Sequence, residues 1–290
     1  MNKWSFGKVV IYVLLGLFSA TIVVAFLHLL SLSFSPSHIA TKGGLHLWPK
    51  EFTLDNYAEV FTNKYIWNGY KNTLIRTIVG TFSQLFMTGL GAYVLSKKYF
   101  PHRTFWTLFV VFTMFFSGGL IPSFLLIQDL GLLDTYAVMI VPGLVGTYNL
   151  VIMRNFFQSL PEEIEESAMI DGAGRFRTFI QIILPMSKPI LATVALWLAV
   201  GHWNSWYDVL IYVSDETKFT LQIILRRILI TGSQDIMSMD STSGSANADM
   251  ISSEGLKAAS IYVATLPILC VYPFVQRYFT KGIMVGALKG

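Results

Sequence analysis

Stretches free of Asp, Glu, Lys and Arg alternate along this chain with short charge-rich joints. Six such stretches, at residues 9–41, 77–96, 104–128, 135–153, 189–207 and 258–276, each reach 19 residues or more. About 20 residues of helix suffice to cross the hydrocarbon of a bilayer, where a helix satisfies its own backbone hydrogen bonds. The pattern therefore predicts six transmembrane helices. The apolar part of the first stretch, Val9 to about Leu32, exceeds the usual core of a secretory leader and ends without a small-x-small cleavage site, so it reads as a retained anchor.

The joints differ in character. Residues 97–103 and 129–134 are tight turns. Residues 35–71 form a longer loop in which Trp48-Pro49 and the run Phe52 to Tyr57, with a helical possibility over 57–61, predict an ordered cap. In the joint at 208–257, Leu221, Ile224, Leu225, Ile228 and Leu229 recur at helical spacing beside Arg226 and Arg227, predicting an amphipathic helix at a membrane interface. After Gly232 the sequence turns rich in Ser, Asp, Met and Asn through Ser253, too poor in apolar residues for a core, and reads as a linker with a lid as the alternative. Residues 161–189 are different again. Pro161 with Glu162, Glu163, Glu165 and Glu166 opens a helix, because proline fits the first turn and carboxylates favour the positive end of the helix dipole. Gly172 permits the left-handed turn that ends it. A second short helix follows over about 175–183, and Leu184-Pro185 and Pro189 break the chain again. The prediction is a helix, turn, helix knob standing off the membrane.

Composition agrees with a membrane class: 53% of residues are hydrophobic and 13% charged, against roughly 25% charged in soluble domains. The mean hydropathy is +0.56. With the N-terminus placed in the cytoplasm, the inner segments carry twelve basic residues against five acidic, and the outer segments nine against twelve. The tight turn at 97–103 holds three basic residues and the one at 129–134 none, so both termini and the knob are expected to be cytoplasmic. This asymmetry accounts for the formal +4 without any nucleic acid. A single Cys270 allows no intrachain disulfide, and no metal site is expected.

The knob carries a spacing that can be matched residue by residue. Glu166-Ser167-Ala168, three residues, Gly172, nine residues, Ile182, one residue and Leu184-Pro185 resemble the Glu-Ala-Ala loop of permease subunits of bacterial ATP-binding-cassette importers, departing only at Ser167. Asn72-Thr73-Leu74, residues 92–96, the Phe115 to Pro122 run, Tyr148-Asn149 and the ending at 281–290 are similar to carbohydrate permeases, like the smaller permease of the maltose importer, and the Phe115 to Pro122 run is similar to an oligosaccharide/oligouronide (alginate importer) subgroup. The resemblance implies an all-α membrane protein of the type I importer permease fold, a single transmembrane domain over 1–290 with a coupling loop at 161–189 and a long extracytoplasmic loop at 208–257. The resemblance implies that it lies multi-pass in the bacterial cytoplasmic (inner) membrane, in contact with the lipid bilayer. It further implies a second homologous permease, two ATPase subunits carrying ATP and Mg, an extracytoplasmic solute-binding protein, an oligosaccharide substrate and alternating access. No cofactor is expected on this chain, which has no Gly-x4-Gly-Lys-Ser/Thr phosphate loop.

The resemblance also implies an ATPase-coupling set, Glu165, Glu166, Ser167, Ala168, Asp171, Gly172, Ala173, Leu184 and Pro185, with Glu166 facing a basic partner. For the substrate path the sequence offers Trp197, His202, Trp203, Asn204, Trp206 and Asp208 near the end of the fifth stretch, since flat rings suit sugar faces and polar groups suit hydroxyls. Trp and Tyr also gather at membrane interfaces as anchors. If one helix continues through this stretch, Trp206 shares a face with His202 or Trp203. Gly118 and Gly119 with Pro122 read first as a close helix contact and second as an unwound, path-facing segment. Arg76 and Lys71 read first as side chains reaching to the interface and second as anion ligands. A permease for a non-sugar solute is the alternative. A membrane-embedded enzyme would need a nucleophile with a base or a metal array, and the five His residues form no His-Glu-x-x-His pattern; a passive channel would have no use for the knob.

Overall fold

The computed structural model describes residues 6–231 and 254–270. Among the described residues there is helix and no strand. In chain order the helices are α1 (Phe6–Ser33), α2 (Ser37–Ala40), α3 (Asp55–Thr62), α4 (Lys64–Ser96), α5 (Arg103–Phe115), α6 (Leu120–Asp129), α7 (Thr147–Gln158), α8 (Glu162–Ile170), α9 (Arg175–Thr178), α10 (Leu184–Met186), α11 (Lys188–Asn204), α12 (Tyr207–Tyr212) and α13 (Leu221–Thr231). A last helix, α14, occupies residues 254–270.

Two of these, α1 and α4, are unbroken and long and apolar enough to cross a membrane. Two further stretches that the sequence presents as single spans are bent pairs, α5 with α6 at 113° and the short turns over Tyr136–Gly143 with α7 at 48°, and α11, which holds most of the fifth stretch, is joined to Arg175–Met186 at 85°. Counting charge-free runs locates apolar mass and is blind to such bends, because glycine, proline and unpaired backbone groups set them. The sixth stretch begins in α14 and continues past residue 270, outside the described residues, as do the Ser/Asp/Met-rich stretch at 232–253 and the ending at 281–290.

α4 also begins well before its predicted start. Charge-free counting places it at residue 77, whereas the helix starts at Lys64, where the Asn63 side chain accepts the Tyr65 N–H at 2.9 Å. Lys64, Lys71 and Arg76 are helical residues, since a single charge does not end a helix whose backbone is otherwise satisfied.

The described residues form two compact units, residues 6–67 with 224–231 and 254–267, and residues 68–223 with 268–270. In the first, α1 is apolar around its whole circumference and buries only Ser31, Leu32 and Ser33, as a helix surrounded by lipid or by another chain must. The predicted ordered cap is present: Asn56 donates to the carbonyls of Ser33 and Ser35 at 3.1 and 3.0 Å, and Phe34 lies against Phe52 and Tyr57. In the second, a core of Ala92, Tyr93 and Leu95 from α4, Leu150, Met153 and Phe157 from α7, Phe179 and Ile183, and Val194 and Leu198 from α11 is closed on all sides. The α13 helix forms where its periodicity predicts. Leu221, Ile223, Ile224 and Ile228 are buried within the protein, so its apolar face is not given over to a membrane surface.

Candidate functional site

The knob has the local structure its residues dictate. Pro161 sits one position outside α8, as the cap residue in extended geometry, and Glu162, Glu163 and Glu165 occupy the first turn. α8 ends in a left-handed turn: Gly172 has φ +80°, its N–H reaches the Met169 carbonyl at 3.0 Å, and the Ala173 N–H reaches Ala168 at 2.9 Å. Glycine is required there because an L side chain resists this conformation.

Beyond the turn the structure departs from expectation. Leu184-Pro185 does not break the second helix. α9 passes into a wider π turn over Phe179–Ile183 and on through α10 to Met186, and the chain breaks at Ser187, which lies between the two arms of the 85° bend. Proline cannot donate to the carbonyl four residues back and its ring crowds that carbonyl, so widening the preceding turn lets the helix pass through.

The structure sorts the nine predicted coupling residues. Glu166, Ser167, Asp171, Gly172 and Pro185 are exposed, Ala173 and Leu184 are partly covered, and Ala168 is buried. Glu165 turns inward: it is 7% exposed, pairs with Lys97 and accepts the Tyr93 hydroxyl at 3.2 Å. A helix places adjacent residues about 100° apart, so Glu165 and Glu166 serve different surroundings. The tip is apolar as well as charged, with Ile170 86% and Phe176 63% exposed.

Sequence reasoning missed what holds this knob. Lys97, Lys98 and Tyr99, directly following α4, meet both of its arms: Lys97 pairs with Glu165 and Lys98 with Glu162 on α8, the latter at 2.8 Å, and the Arg175 guanidinium of α9 lies 4.2 Å from the Tyr99 ring centre. Basic residues at a span end opposite a glutamate-rich helix are a readable signal, and it is absorbed by the topology argument.

At the other end of α4 lie most of the residues proposed for the solute path. Asp208 is held by Arg76, whose guanidinium grips both carboxylate oxygens, and by the Ser205 hydroxyl at 2.8 Å. Arg76 is 4% exposed, which corrects the reading of it as an interface side chain. His202 bonds Gln84 at 3.1 Å and lies so close to Gly80 that a Cβ there would sit 2.7 Å from its ring. Trp203 is buried beside Tyr70, while Trp197 stands near Tyr148 with ring centres 6.4 Å apart. α11 stops at Asn204, Ser205 is extended and Trp206 caps α12, so the one-helix face shared by Trp206 with His202 or Trp203 does not exist. Asn204 is exposed and Trp206 half-buried against Tyr207. Gly118 and Gly119 belong to the unwound segment between α5 and α6. Gly119 has φ +91° and nothing within 4 Å of a Cβ, and a Cβ on Gly118 would lie 3.7 Å from Pro122, so the segment is unwound as the second reading has it.

The same end is fastened by further ties. The Asn72 amide donates to the Thr217 and Phe219 carbonyls at 2.8 and 2.9 Å and accepts the Tyr136 hydroxyl, while Thr73 accepts the Leu221 N–H at 2.9 Å. Asp134, in the left-handed region at φ 56°, accepts the N–H groups of Ser214 and Asp215. These two backbone bonds hold its carboxyl below the usual carboxylate range. Asp215 is brought down to about 2 by the Thr217 hydroxyl and by Lys218.

A helical knob on a left-handed glycine turn is the geometry that the spacing at 166–185 anticipates. Residues 66–285 match the family described as binding-protein-dependent transport system inner membrane component. The chain belongs to that family. It is 41% identical over 277 residues to Protein LplC of Bacillus subtilis, covering 95% of this chain and 92% of that protein. It is 39% identical over 282 residues to the polygalacturonan/rhamnogalacturonan transport system permease protein YtcP of the same organism, covering 97% of each. Among solved structures, a chain of a bacterial ABC transporter involved in the import of the acidic polysaccharide alginate matches with a TM-score of 0.86 and 30% identity, over 96% of this chain and all of that one. This permease subunit is therefore an inner-membrane component with the all-α importer permease fold, in a family whose members work with an ATPase and a solute-binding protein.

Proposed function

We propose that this permease forms half of the membrane path for uptake of oligosaccharides built from acidic sugars, by alternating access, together with a second homologous permease, two ATPase subunits and an extracytoplasmic binding protein. The observation that carries the permease role is the exposed tip at Glu166, Ile170 and Phe176 around the Gly172 turn, a surface built to be received by a partner. The sugar class is supported by the relatives, of which one is a polygalacturonan/rhamnogalacturonan permease and another part of an alginate importer.

The chain is non-catalytic in this reading, and ATP and Mg sit on the ATPase subunits. The knob and both termini face the cytoplasm, as the distribution of Lys and Arg supports. Trp197, His202, Trp203, Asn204, Trp206 and Asp208, with Gly118 and Gly119, stand toward the solute path, with Asp208 acting through its grip on Arg76 and not as a free hydroxyl acceptor.

The test is ATP hydrolysis by the reconstituted complex in the presence of its binding protein loaded with a panel of neutral and acidic oligosaccharides. Stimulation by the acidic members supports the reading. Stimulation by neutral sugars alone removes the acidic class, and stimulation only by a non-sugar solute removes the carbohydrate class.

A further inference from the structure

We infer that α4 is the element that carries motion from the knob to the far end of the permease, and that the Lys97–Glu165–Tyr93 cluster is the pin that makes knob and helix move together. Three observations converge. Both arms of the knob are fastened to the same three residues, Lys97 to Tyr99. The pin itself is enclosed: Lys97 and Glu165 side chains are 13% and 9% exposed, the Lys97 ammonium lies 4.5 Å from the Tyr93 ring centre, and that ring packs on Phe179 and Phe157. At the other end of the same unbroken helix, Asn72, Thr73 and Arg76 grip residues 217–221 and Asp208. Twenty residues separate Thr73 from Tyr93 within α4, so a displacement entering at the knob is delivered about 30 Å away without an intervening loop.

The chemistry of the pin favours a positioning role over simple adhesion. An enclosed ion pair loses much of its attraction to desolvation, and apolar side chains of equal volume would hold two helices as firmly. What the pair adds is direction, because a carboxylate that accepts from an ammonium and a phenol at once fixes the angle between α8 and α4. Lys98–Glu162, at 77% and 62% exposure, is screened by water and adds little.

The inference rests on the permease reading above, and its test separates the two. In proteoliposomes holding the whole complex, ATP hydrolysed per solute imported is measured for Lys97→Met, Tyr93→Phe and Lys98→Ala, normalised to assembled complex. Lys97→Met is expected to keep hydrolysing ATP while the ATP cost per solute rises about tenfold, the size of a typical coupling between sites. Tyr93→Phe keeps the ring and loses one hydrogen bond, for a rise of roughly twofold, and Lys98→Ala stays at the wild-type ratio. A merely structural role lowers the amount of complex and leaves the ratio alone. If Lys97→Met does not assemble, Tyr93→Phe decides: a raised ratio supports the pin, and an unchanged one overturns it. Failure of the wild-type complex to import any solute with ATP would instead overturn the permease reading.

Discussion

Gly172 has the backbone conformation in the knob that an ordinary side chain resists, with φ +80° and open space around a Cβ. Gly172→Val therefore costs on the order of 1 kcal/mol or more in the turn, without a clash in the membrane. The expected outcome is a complex present at normal abundance whose uptake is reduced several-fold, checked by transport per assembled complex. Arg76 and Asp208 make a different kind of demand. Asp208→Ala leaves a guanidinium that is 4% exposed without its counter-charge, at a cost of about 3–5 kcal/mol. Loss of thermal stability of the purified complex is the expected reading, with most of it recovered when Arg76→Met and Asp208→Leu are combined. Asp215 ties stability to pH. Its carboxyl is lowered from 3.8 to about 2 by bonds from Thr217 and Lys218, so the folded state favours the charged form. Its contribution is complete above about pH 4 and is lost as the pH falls from there toward 2. Asp134, lowered by the Ser214 and Asp215 N–H groups, acts in the same sense. Protection of the Ser214 and Asp215 N–H groups from hydrogen exchange, taken relative to the intrinsic rate at the same pH, is expected to hold steady down to about pH 4 and to fall below it.

The helices show what a one-dimensional pattern can carry. The knob, α13 and the ordered cap were legible, because each depends on neighbours a few residues apart: a proline before glutamates, a glycine after a helical run, apolar residues at spacings of three and four. The bends were not. Whether Gly118-Gly119 packs or unwinds, and whether Leu184-Pro185 ends a helix or is absorbed by a π turn, depends on what the surrounding helices leave room for. Nor were the ties between distant segments, such as Asn72 with Phe219 or Lys97 with Glu165, which join residues separated by scores of positions. The end of α11 at Asn204 bears directly on Trp206. As the cap of α12, Trp206 is positioned by the break between α11 and α12 rather than by a helix face. Trp206→Ala is expected to lower uptake and solute-stimulated ATP hydrolysis together while the complex still assembles. Loss of assembly with unchanged turnover per complex would place Trp206 as an anchor and outside the solute path.

For the molecule as a whole, one continuous helix is gripped at one end by the knob and at the other by the segments around Asp208 and residues 217–221, in a family whose members work with an ATPase. The central claim is that this chain moves solute only when a separate ATPase acts through the loop around Gly172. The most direct measurement is ATP-driven uptake by proteoliposomes containing the complete complex, with wild-type chain or with Glu166→Lys and Gly172→Val, at equal complex content. The account predicts ATP-dependent import by the wild type, dependent on the loaded binding protein, and import reduced at least several-fold in both variants while the complex remains in the membrane. Normal import by both variants, or solute passage through the wild type without ATP, would contradict it.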